Sequence, residues 1–319
     1  MQGRVSVNIV TWNSMAYLPE CLESLKNQTF RDLEIVVVDN SSDDGSSEYV
    51  ERTHPGITRI RNTDNRGFCG GHNIAIRRNT SEFVLPLNPD VQLTPTYIAE
   101  LVHALNNDAD AGIAAGKLFL PGGAILDGAG MSLSRVRRQY LRGHDESDTG
   151  IYDRPVYLFG VDGSAPLYRR AMLEEIRIGD EYFDEDFFAH KEDLDLSWRS
   201  QLYGWKCRYV PTAVAVHDRS FRPESPGSRA KMSEEVRLHA VKNRYLAMVK
   251  NDMPALFFAD LPFILWYDLK ILVYLLLRER SSLAAIPMFL RLLPKALGKR
   301  RIIRAHTRVT PAYMRSLLT

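Results

Sequence analysis

Cysteine is scarce in this chain: Cys21, Cys69 and Cys207 are the three it has, and no two form a C-x-x-C pair. An odd, scattered set supports no disulfide framework and fits a reducing compartment. Excess charge is lacking too. A net charge of +2 argues against the broad basic surface that binds nucleic acid. No basic segment, apolar core and small-residue cleavage site precede the first apolar run at residues 5–10, so no secretory signal is expected. The apolar stretch from Met253 onward never reaches the roughly 20 clean residues that a spanning helix needs. Asp260, Asp268, Lys270, Arg278 and Glu279 interrupt every candidate. Internal repeats and low-complexity tracts are absent. Acidic residues run out as well: none follows Glu279, whereas Arg291, Lys295, Lys299, Arg300, Arg301, Arg304, Arg308 and Arg315 do.

What is present over the first hundred residues is an alternation of strand and helix signals. "VSVNIVTWN" reads as a strand, and "SMAYLPECLESLKNQ" as a helix capped by Ser14, with Pro19 near its start. "LEIVVVDNSSDDGS" is a near-continuous apolar run that breaks into a polar turn, as a strand buried on both faces would. "GITRIRN" is a short third strand, "NRGFCGGHNIAIRRN" a glycine-rich turn into a helix, and "EFVLPLNPD" a fourth strand. "TPTYIAELVHALNND" reads as a helix with Thr94 as cap and Pro95 in its first turn. This is the pattern of βαβ units in a doubly wound, mostly parallel sheet. The second half holds the apolar strand "VYLFGV", an acidic and aromatic stretch that turns helical at "KEDLDLSWRSQL", and "KCRYVPTAVAVH", a strand pair or one bent strand. Residues 222–233, rich in Pro, Ser and Gly, read as a mobile loop, and everything beyond as helix.

Three apolar strands end in polar residues: Thr11, Asp39 and Asp90. Each could be an ordinary turn former. Together they describe the rim of a site, because ligands of such sheets bind at the carboxyl ends of the strands. Asp39 can accept a hydrogen bond from the N3–H of uracil or thymine, although it also suits an Asx turn into "NSSDDG". The loop "NRGFCGGHN" offers Arg66 for phosphate or base carbonyls, Gly67 and its neighbours for close backbone approach, and Asn73. "HKEDLDLSWR" concentrates Glu192, Asp193 and Asp195 at the start of a helix, where the macrodipole alone would welcome them.

"VNIVTWN", "IVVVDNSSDDGS", "NRGFCGGHNIAI", "LNPD" and "HKEDLDLSWR" occur in the order and spacing of family 2 inverting glycosyltransferases. "LNPD" and the "GFCGGHN" loop are most similar to the rhamnosyltransferase branch, and the resemblance covers roughly residues 5–220. It implies the GT-A fold: a mixed, mostly parallel α/β sheet flanked by helices, here with a helical C-terminal extension. Residues 1–225 would form the catalytic domain, with nucleotide-sugar binding in about 1–120 and the acceptor and base region in about 121–225; residues 226–319 would be the extension.

The resemblance also implies roles. Thr11, Asn13 and Asp39 would hold the nucleoside, with Arg66, Gly67, Asn73 and Asn88 completing the nucleotide site. Asp90 would hold Mg²⁺ or Mn²⁺ against the diphosphate, where a divalent cation offsets charge developing on the leaving group. Asn88-Pro89-Asp90 stands where most GT-A enzymes carry D-x-D, which implies fewer protein ligands, and His217 resembles the additional metal ligand. Asp193 would be the single base that inversion requires, placed opposite the leaving group. Asp162 and Gly163 could line the donor-sugar pocket with Glu192; Arg199 would pair with an acid or the diphosphate, and Trp198 reads as core.

The expected donor is dTDP-L-rhamnose, with a UDP-hexose as the alternative. The acceptor is a saccharide, and the tail favours a polyprenyl-diphosphate-linked one. Apolar helices with Trp266 and Tyr267 at the interface and a basic tail on anionic lipid would lie on the cytoplasmic face of the plasma membrane. The alternative is a helical region packed on the catalytic core, or on a second copy in a homo-oligomer. Two other classes compete. A sugar-nucleotide nucleotidyltransferase would carry a glycine-rich basic loop after the first strand, yet "TWNSMAYLPE" has no glycine. A non-catalytic carbohydrate-binding protein would have no need of Asp39, Asp90 and Asp193 together.

Overall fold

The computed structural model describes residues 3–219, 229 and 232–319. β1 (Val5–Thr11) leads through α1 (Leu18–Lys26) to β2 (Leu33–Asp39), through α2 (Ser46–Thr53) to β3 (Thr58–Arg61), and through α3 (Gly67–Arg78) to β4 (Phe83–Leu87). These strands are parallel, and β4 lies on the far side of β1 from β2. Every residue of β4 and nearly every residue of β1 is buried, as expected of strands covered on both faces. Thr11 is in register with Asp39, and Ile9 with Leu87, so Thr11, Asp39 and Asn88 reach one edge of the sheet together. The chain then passes through β5 (Val91–Leu93) and α4 (Tyr97–Asn106) to β6 (Ala111–Phe119).

Short strands follow: β7 (Leu126–Gly128), β8 (Met131–Leu133), β9 (Gln139–Leu141), β10 (Tyr157–Leu158) and β11 (Leu167–Arg169). α5 (Arg170–Ile176) and α6 (Glu192–Leu202) lead to β12 (Lys206–His217). The order across the sheet is β10-β12-β6-β11-β4-β1-β2-β3, with β11 antiparallel to both neighbours and β12 parallel to β6. β12 is one bent strand: its register with β6 shifts between Tyr209 and Val214. It ends beside β5, with His217 opposite Val91, which carries His217 to the edge where β4 stops.

Several expectations needed correction. α1 begins at Leu18 with Tyr17 as its cap, because Ser14 closes a preceding turn through its carbonyl; Pro19 does occupy the first turn. α4 likewise starts after the turn that Thr94 closes onto Tyr97, so Thr96 is the cap. "VYLFGV" forms a strand over only Tyr157 and Leu158, with Gly160 adding a single bridge to Met131. β6 escaped notice because "AGIAAGKLF" is rich in small residues of low strand propensity. The structure explains the smallness: a Cβ on Gly116 would run into the Ala213 carbonyl and the Tyr97 ring. Most of the loop read at 222–233 lies outside the described residues.

Beyond it come α7 (Glu234–Asn251), α8 (Pro254–Arg278), α9 (Ala285–Ala305) and α10 (Pro311–Ser316). One face of this region joins the hydrophobic cluster of the acceptor half: Leu246, Ala247, Ala296 and Ile303 pack with Leu194, Trp198 and Leu202. Buried ion pairs fasten the same face. Lys250 lies between Asp184 and Asp195, 2.8 Å from the latter, and Arg137 bridges Asp252 and Asp260 at 2.8 Å each.

Candidate active site

A cleft of about 900 Å³ opens at the carboxyl edge of the sheet. Asn88, Asp90, Asp162, Gly163, Glu192, Asp193 and His217 line it, so residues from four separate sequence segments meet there. Each arrives by a different route. Asn88 and Asp90 follow the end of β4, where the Asn88 amide donates to the Ser164 carbonyl at 2.8 Å. His217 ends β12. Glu192 and Asp193 open α6, and Gly163 sits against them: a Cβ there would stand 3.4 Å from the Asp193 Cβ.

The acids are held in different states. Burial, then the negative charge of Asp162, pushes the Asp193 carboxyl up to about 6, against hydrogen bonds from the Leu194 and Gly163 amides. Leu194 N–H donates to Asp193 Oδ1 at 2.7 Å, and Gln139 Nε2 to Oδ2 at 3.3 Å. Burial and the Asp193 charge raise Glu192 well above the usual carboxylate range. Burial works against ionisation of Asp162 as well, but Arg219 and His217 overcome it and hold that carboxyl at about 2. Arg219 NH2 stands 2.9 Å from Asp162 Oδ2. Neighbouring carboxyl groups are thus pushed apart: Asp162 down, Asp193 up to about 6 and Glu192 up by burial and the Asp193 charge.

The chain entering α6 is bent in a way side chains resist. Phe188, His190 and Lys191 adopt φ of 65°, 68° and 66°, in the left-handed region. Asn243 of α7 opposes that strain by directing its amide at the carbonyls of Phe187, Ala189 and His190, at 3.0, 2.8 and 2.6 Å. The helical C-terminal region therefore braces the turn that aims Asp193.

Glycosyl transferase family 2 is the family whose sequence model matches, over residues 6–177, more than half of the chain. The chain belongs to glycosyl transferase family 2. An N-acetylglucosaminyl-diphospho-decaprenol L-rhamnosyltransferase of Mycobacterium tuberculosis is 25% identical over 244 residues, 69% of this chain and 78% of that protein. A GalNAc(5)-diNAcBac-PP-undecaprenol beta-1,3-glucosyltransferase of Campylobacter jejuni is 25% identical over 76% of this chain and 70% of its own length. Among solved structures, the mannosyltransferase of Pyrobaculum calidifontis in complex with GDP-Man and Mn²⁺ superposes with a TM-score of 0.56 at 21% identity, covering 96% of this chain and 86% of that one. GalNAc-T7 with UDP, GalNAc and Mn²⁺ gives 0.59 at 16% identity over 78% and 48%. The fold is GT-A, as the motifs led one to expect.

In this family 2 glycosyltransferase the expected nucleotide residues other than Asn88 lie outside the lining of the acid cleft. Thr11 and Asp39 are fully buried side by side: Thr11 Oγ1 donates to Asp39 Oδ1 at 3.1 Å, and the Ser42 amide to Oδ2 at 3.3 Å. Arg61 Nε lies 3.6 Å from the same Oδ2. Asn13 is exposed at φ 52°, with its side-chain oxygen accepting from the Asp43 amide at 2.9 Å. Arg66 is exposed and paired with Asp64 at 2.9 Å, while Gly67 uses a φ of 65° to pass close to the Phe188 carbonyl.

Two expected residues face elsewhere. Asn73 is buried and spends its amide on the backbone of Tyr182 and Phe183 and on Glu185. Arg199 is buried against Asp195 at 3.0 Å and donates to the carbonyls of Ile176 and Tyr182, so of its two expected partners it takes the acid. The sequence reading missed Asp127, which is wholly buried in the middle of the short β7. It contacts His217 Nδ1 at 2.8 Å and Arg219 Nε at 2.9 Å. Its only signal was a carboxylate closing an apolar pair in "ILDG". Arg219, two residues past His217, carried no signal at all.

The donor set for a cation is small. Asp90 Oδ1 is buried without a hydrogen-bond partner and lies 3.3 Å from His217 Nε2. Burial lowers the His217 pKa, but Asp127 and Asp90 outweigh it and raise it to about 9, so the imidazolium occupies this position at neutral pH. Among the described residues, no group of three or more His, Cys, Asp or Glu is arranged to hold a metal. Asp90 and His217 would hold a divalent cation only after the imidazolium gives up its Nε2 proton, so metal binding there would release a proton; the ion would then neutralise charge on the diphosphate.

Proposed function

We propose that this enzyme transfers a sugar, with inversion, from a nucleotide diphosphate sugar to a hydroxyl of a polyprenyl-diphosphate-linked saccharide. The observation that carries the reading is Asp193: a buried carboxylate beside a charged Asp162, poised near neutrality in the cleft that also holds Asp90 and His217. A base tuned towards the working pH is what proton removal from an attacking hydroxyl requires. The acceptor oxygen attacks the anomeric carbon as its proton passes to an Asp193 oxygen. The bond from that carbon to the diphosphate breaks, and the nucleoside diphosphate departs on the Asn88–Asp90 side. Asp162 stays charged and keeps Asp193 basic, while Gln139 and the Leu194 amide orient it.

A divalent cation bound by Asp90 and His217 would supply charge neutralisation for the leaving diphosphate. Thr11, Asn13, Asp39, Arg66 and Gly67 are assigned to the nucleoside and its phosphates. The rhamnosyltransferase relative favours dTDP-L-rhamnose as donor. The equally similar glucosyltransferase keeps a UDP-hexose as the second reading. No helix among the described residues is long and apolar enough to cross a membrane. α8 nevertheless exposes Phe258, Trp266 and Leu277, and the chain beyond Glu279 is basic without acids. We assign this face to the anionic surface of the membrane that holds the acceptor, on the cytoplasmic side.

The test is transfer from dTDP-L-rhamnose or UDP-glucose to a prenyl-diphosphate sugar, with the anomeric configuration read by NMR. Transfer should vanish in EDTA and return with Mg²⁺ or Mn²⁺. Asp90→Ala should weaken nucleotide-diphosphate binding only when metal is present. Full activity in chelator overturns the metal assignment, and retention of configuration overturns the role of Asp193.

A further inference from the structure

The cleft does not end at the acids. It continues to α8, whose Tyr267, Lys270, Ile271 and Tyr274 form another stretch of its wall. Positions 267, 270, 271 and 274 fall on one face of the helix, with Tyr267 and Ile271 half-buried and Lys270 and Tyr274 exposed at the rim. Trp266, Leu269, Val273 and Leu277 of the same helix are exposed. The wall of one cleft thus combines carboxylates, cations and an apolar helix.

Most of the lining cations are already neutralised. Arg137 is paired with Asp252 and Asp260, Arg219 with Asp127 and Asp162, Arg229 with Glu279, and Arg244 with Asp268. Lys191 and Lys270 differ. Among the described residues neither is within ion-pair distance of a carboxylate. Lys191 has a single 3.5 Å contact with Gln139 Oε1, and Lys270 lies over the Trp266 ring at 5.1 Å. Lys191 is also held by a left-handed backbone next to the base. For the half-buried Lys191, an incompletely compensated ammonium is costly unless an anion joins it, whereas the exposed Lys270 stands open to an approaching anion. Burial accordingly depresses the Lys191 amine to about 8, against the attraction of Asp193.

We infer that Lys191 and Lys270 form a subsite for the diphosphate of a lipid-linked acceptor, with the prenyl chain leaving along α8. This deepens the proposed function and rests on its acceptor class. The chemistry of the wall fits the groups of such an acceptor: Asp193 for a sugar hydroxyl, the two ammonium groups for a dianionic diphosphate, and the apolar helix for the chain. It also gives a second use to the strained Lys191 backbone, which sets an ammonium immediately before the base.

The probe is farnesyl diphosphate, which carries the diphosphate and a prenyl chain but no sugar. Its binding to the full chain is measured by calorimetry with UDP or dTDP and Mg²⁺ already saturating the donor site. Wild type should bind it, and the Lys191→Gln/Lys270→Gln double variant at least tenfold more weakly, with unchanged nucleotide affinity and melting temperature. A double Lys→Arg variant should keep the affinity, and farnesol should not distinguish wild type from variant. Absence of binding, displacement by the nucleotide, or equal affinity in the double Gln variant overturns the subsite. Loss of binding to phosphatidylglycerol vesicles with farnesyl diphosphate affinity retained also overturns it, because the lysines would then serve lipid headgroups. Failure of nucleotide sugars to bind would instead strike the proposed function, so the two failures are distinguishable.

Discussion

α6 and α8 invert the usual relation between composition and burial. α6, "EDLDLSWRSQL", is charged and polar, yet every one of its residues is buried. α8 is strongly apolar, yet only Leu256, Asp260, Ile264 and Leu275 are buried, while Phe258, Trp266 and Leu277 are 68%, 61% and 71% exposed. The one acid that α8 buries is neutralised by Arg135, Arg137 and Arg315. Burying charge is tolerated where partners are built for it, and exposing apolar surface persists where something else is to cover it. α6 is the polar heart of a catalytic cleft; α8 is the rim of that cleft and an unpartnered face at once.

The sharpest way to break this contrast is at the charged end. Asp193→Asn preserves shape and one acceptor but takes no proton, so sugar transfer should fall at least about a hundredfold with donor affinity nearly unchanged. Glu192→Gln should cost less, because burial and the Asp193 charge favour the protonated form of that acid. Single-turnover rates on both variants check the assignment; near wild-type transfer by Asp193→Asn would hand the base to another acid.

Next in size is the structural charge of the same helix. Asp195 and Arg199 have side chains 1% exposed and pair at 3.0 Å. Arg199→Met leaves a buried carboxylate without its guanidinium, although Lys250 and Asn251 still contact Asp195. Breaking such a pair is expected to lower stability by roughly 3–5 kcal/mol, which denaturant unfolding would read. Loss of activity without loss of stability would contradict a purely structural pair.

A smaller effect is graded by pH. With Asp193 at about 6, kcat/KM should fall about tenfold per pH unit below that value, as the base becomes protonated. Stability runs the other way. The folded pKa lies above the unfolded one near 3.9, so the stabilising contribution is complete below about 4 and is lost as pH rises through about 6. Asp193→Asn should therefore gain melting temperature relative to wild type between pH 4 and pH 7. A pH-independent difference would mean that Asp193 is not buried as a charge.

The smallest change in stability belongs to α8. Serine at Phe258, Trp266 and Leu277 should shift stability by no more than about 0.5 kcal/mol per site, since each side chain already faces solvent. Vesicle binding should nevertheless fall about tenfold or more, because each side chain buried in lipid contributes ~1.5–3 kcal/mol. Melting curves and vesicle co-sedimentation on one triple variant separate the two effects, and unchanged sedimentation would remove the membrane from the account.

The parallel half of the sheet was legible because its strands are written locally. Continuous apolar runs such as "IVVV" end in turn formers, and this pattern needs no tertiary information. β6 was not legible, since its small residues answer to Tyr97 and Ala213, which are near only in the folded chain. The ordering of Asn88–Asp90, Glu192–Asp193 and His217 around one cleft was legible through family resemblance. Asp127 and Arg219 were not, because nothing about "LDG" or "HDR" reveals that both groups converge on His217. Asn73 and Arg199 show the reverse case: residue types suited to ligands, yet consumed by buried backbone groups.

The sequence by itself determined a mostly parallel α/β sheet and the strand ends that carry polar residues, because periodicity and turn chemistry act over a few neighbouring residues; the GT-A fold and the family were legible through the resemblance of its motifs. Only the tertiary structure decided the charge states of the acids. Asp162, Asp193 and Glu192 are ordinary carboxylic acids as a sequence, and they are pushed apart by burial and by the groups that distant segments bring beside them. It also decided which apolar residues stay outside, since a helix packs only the face that its neighbours in space can reach.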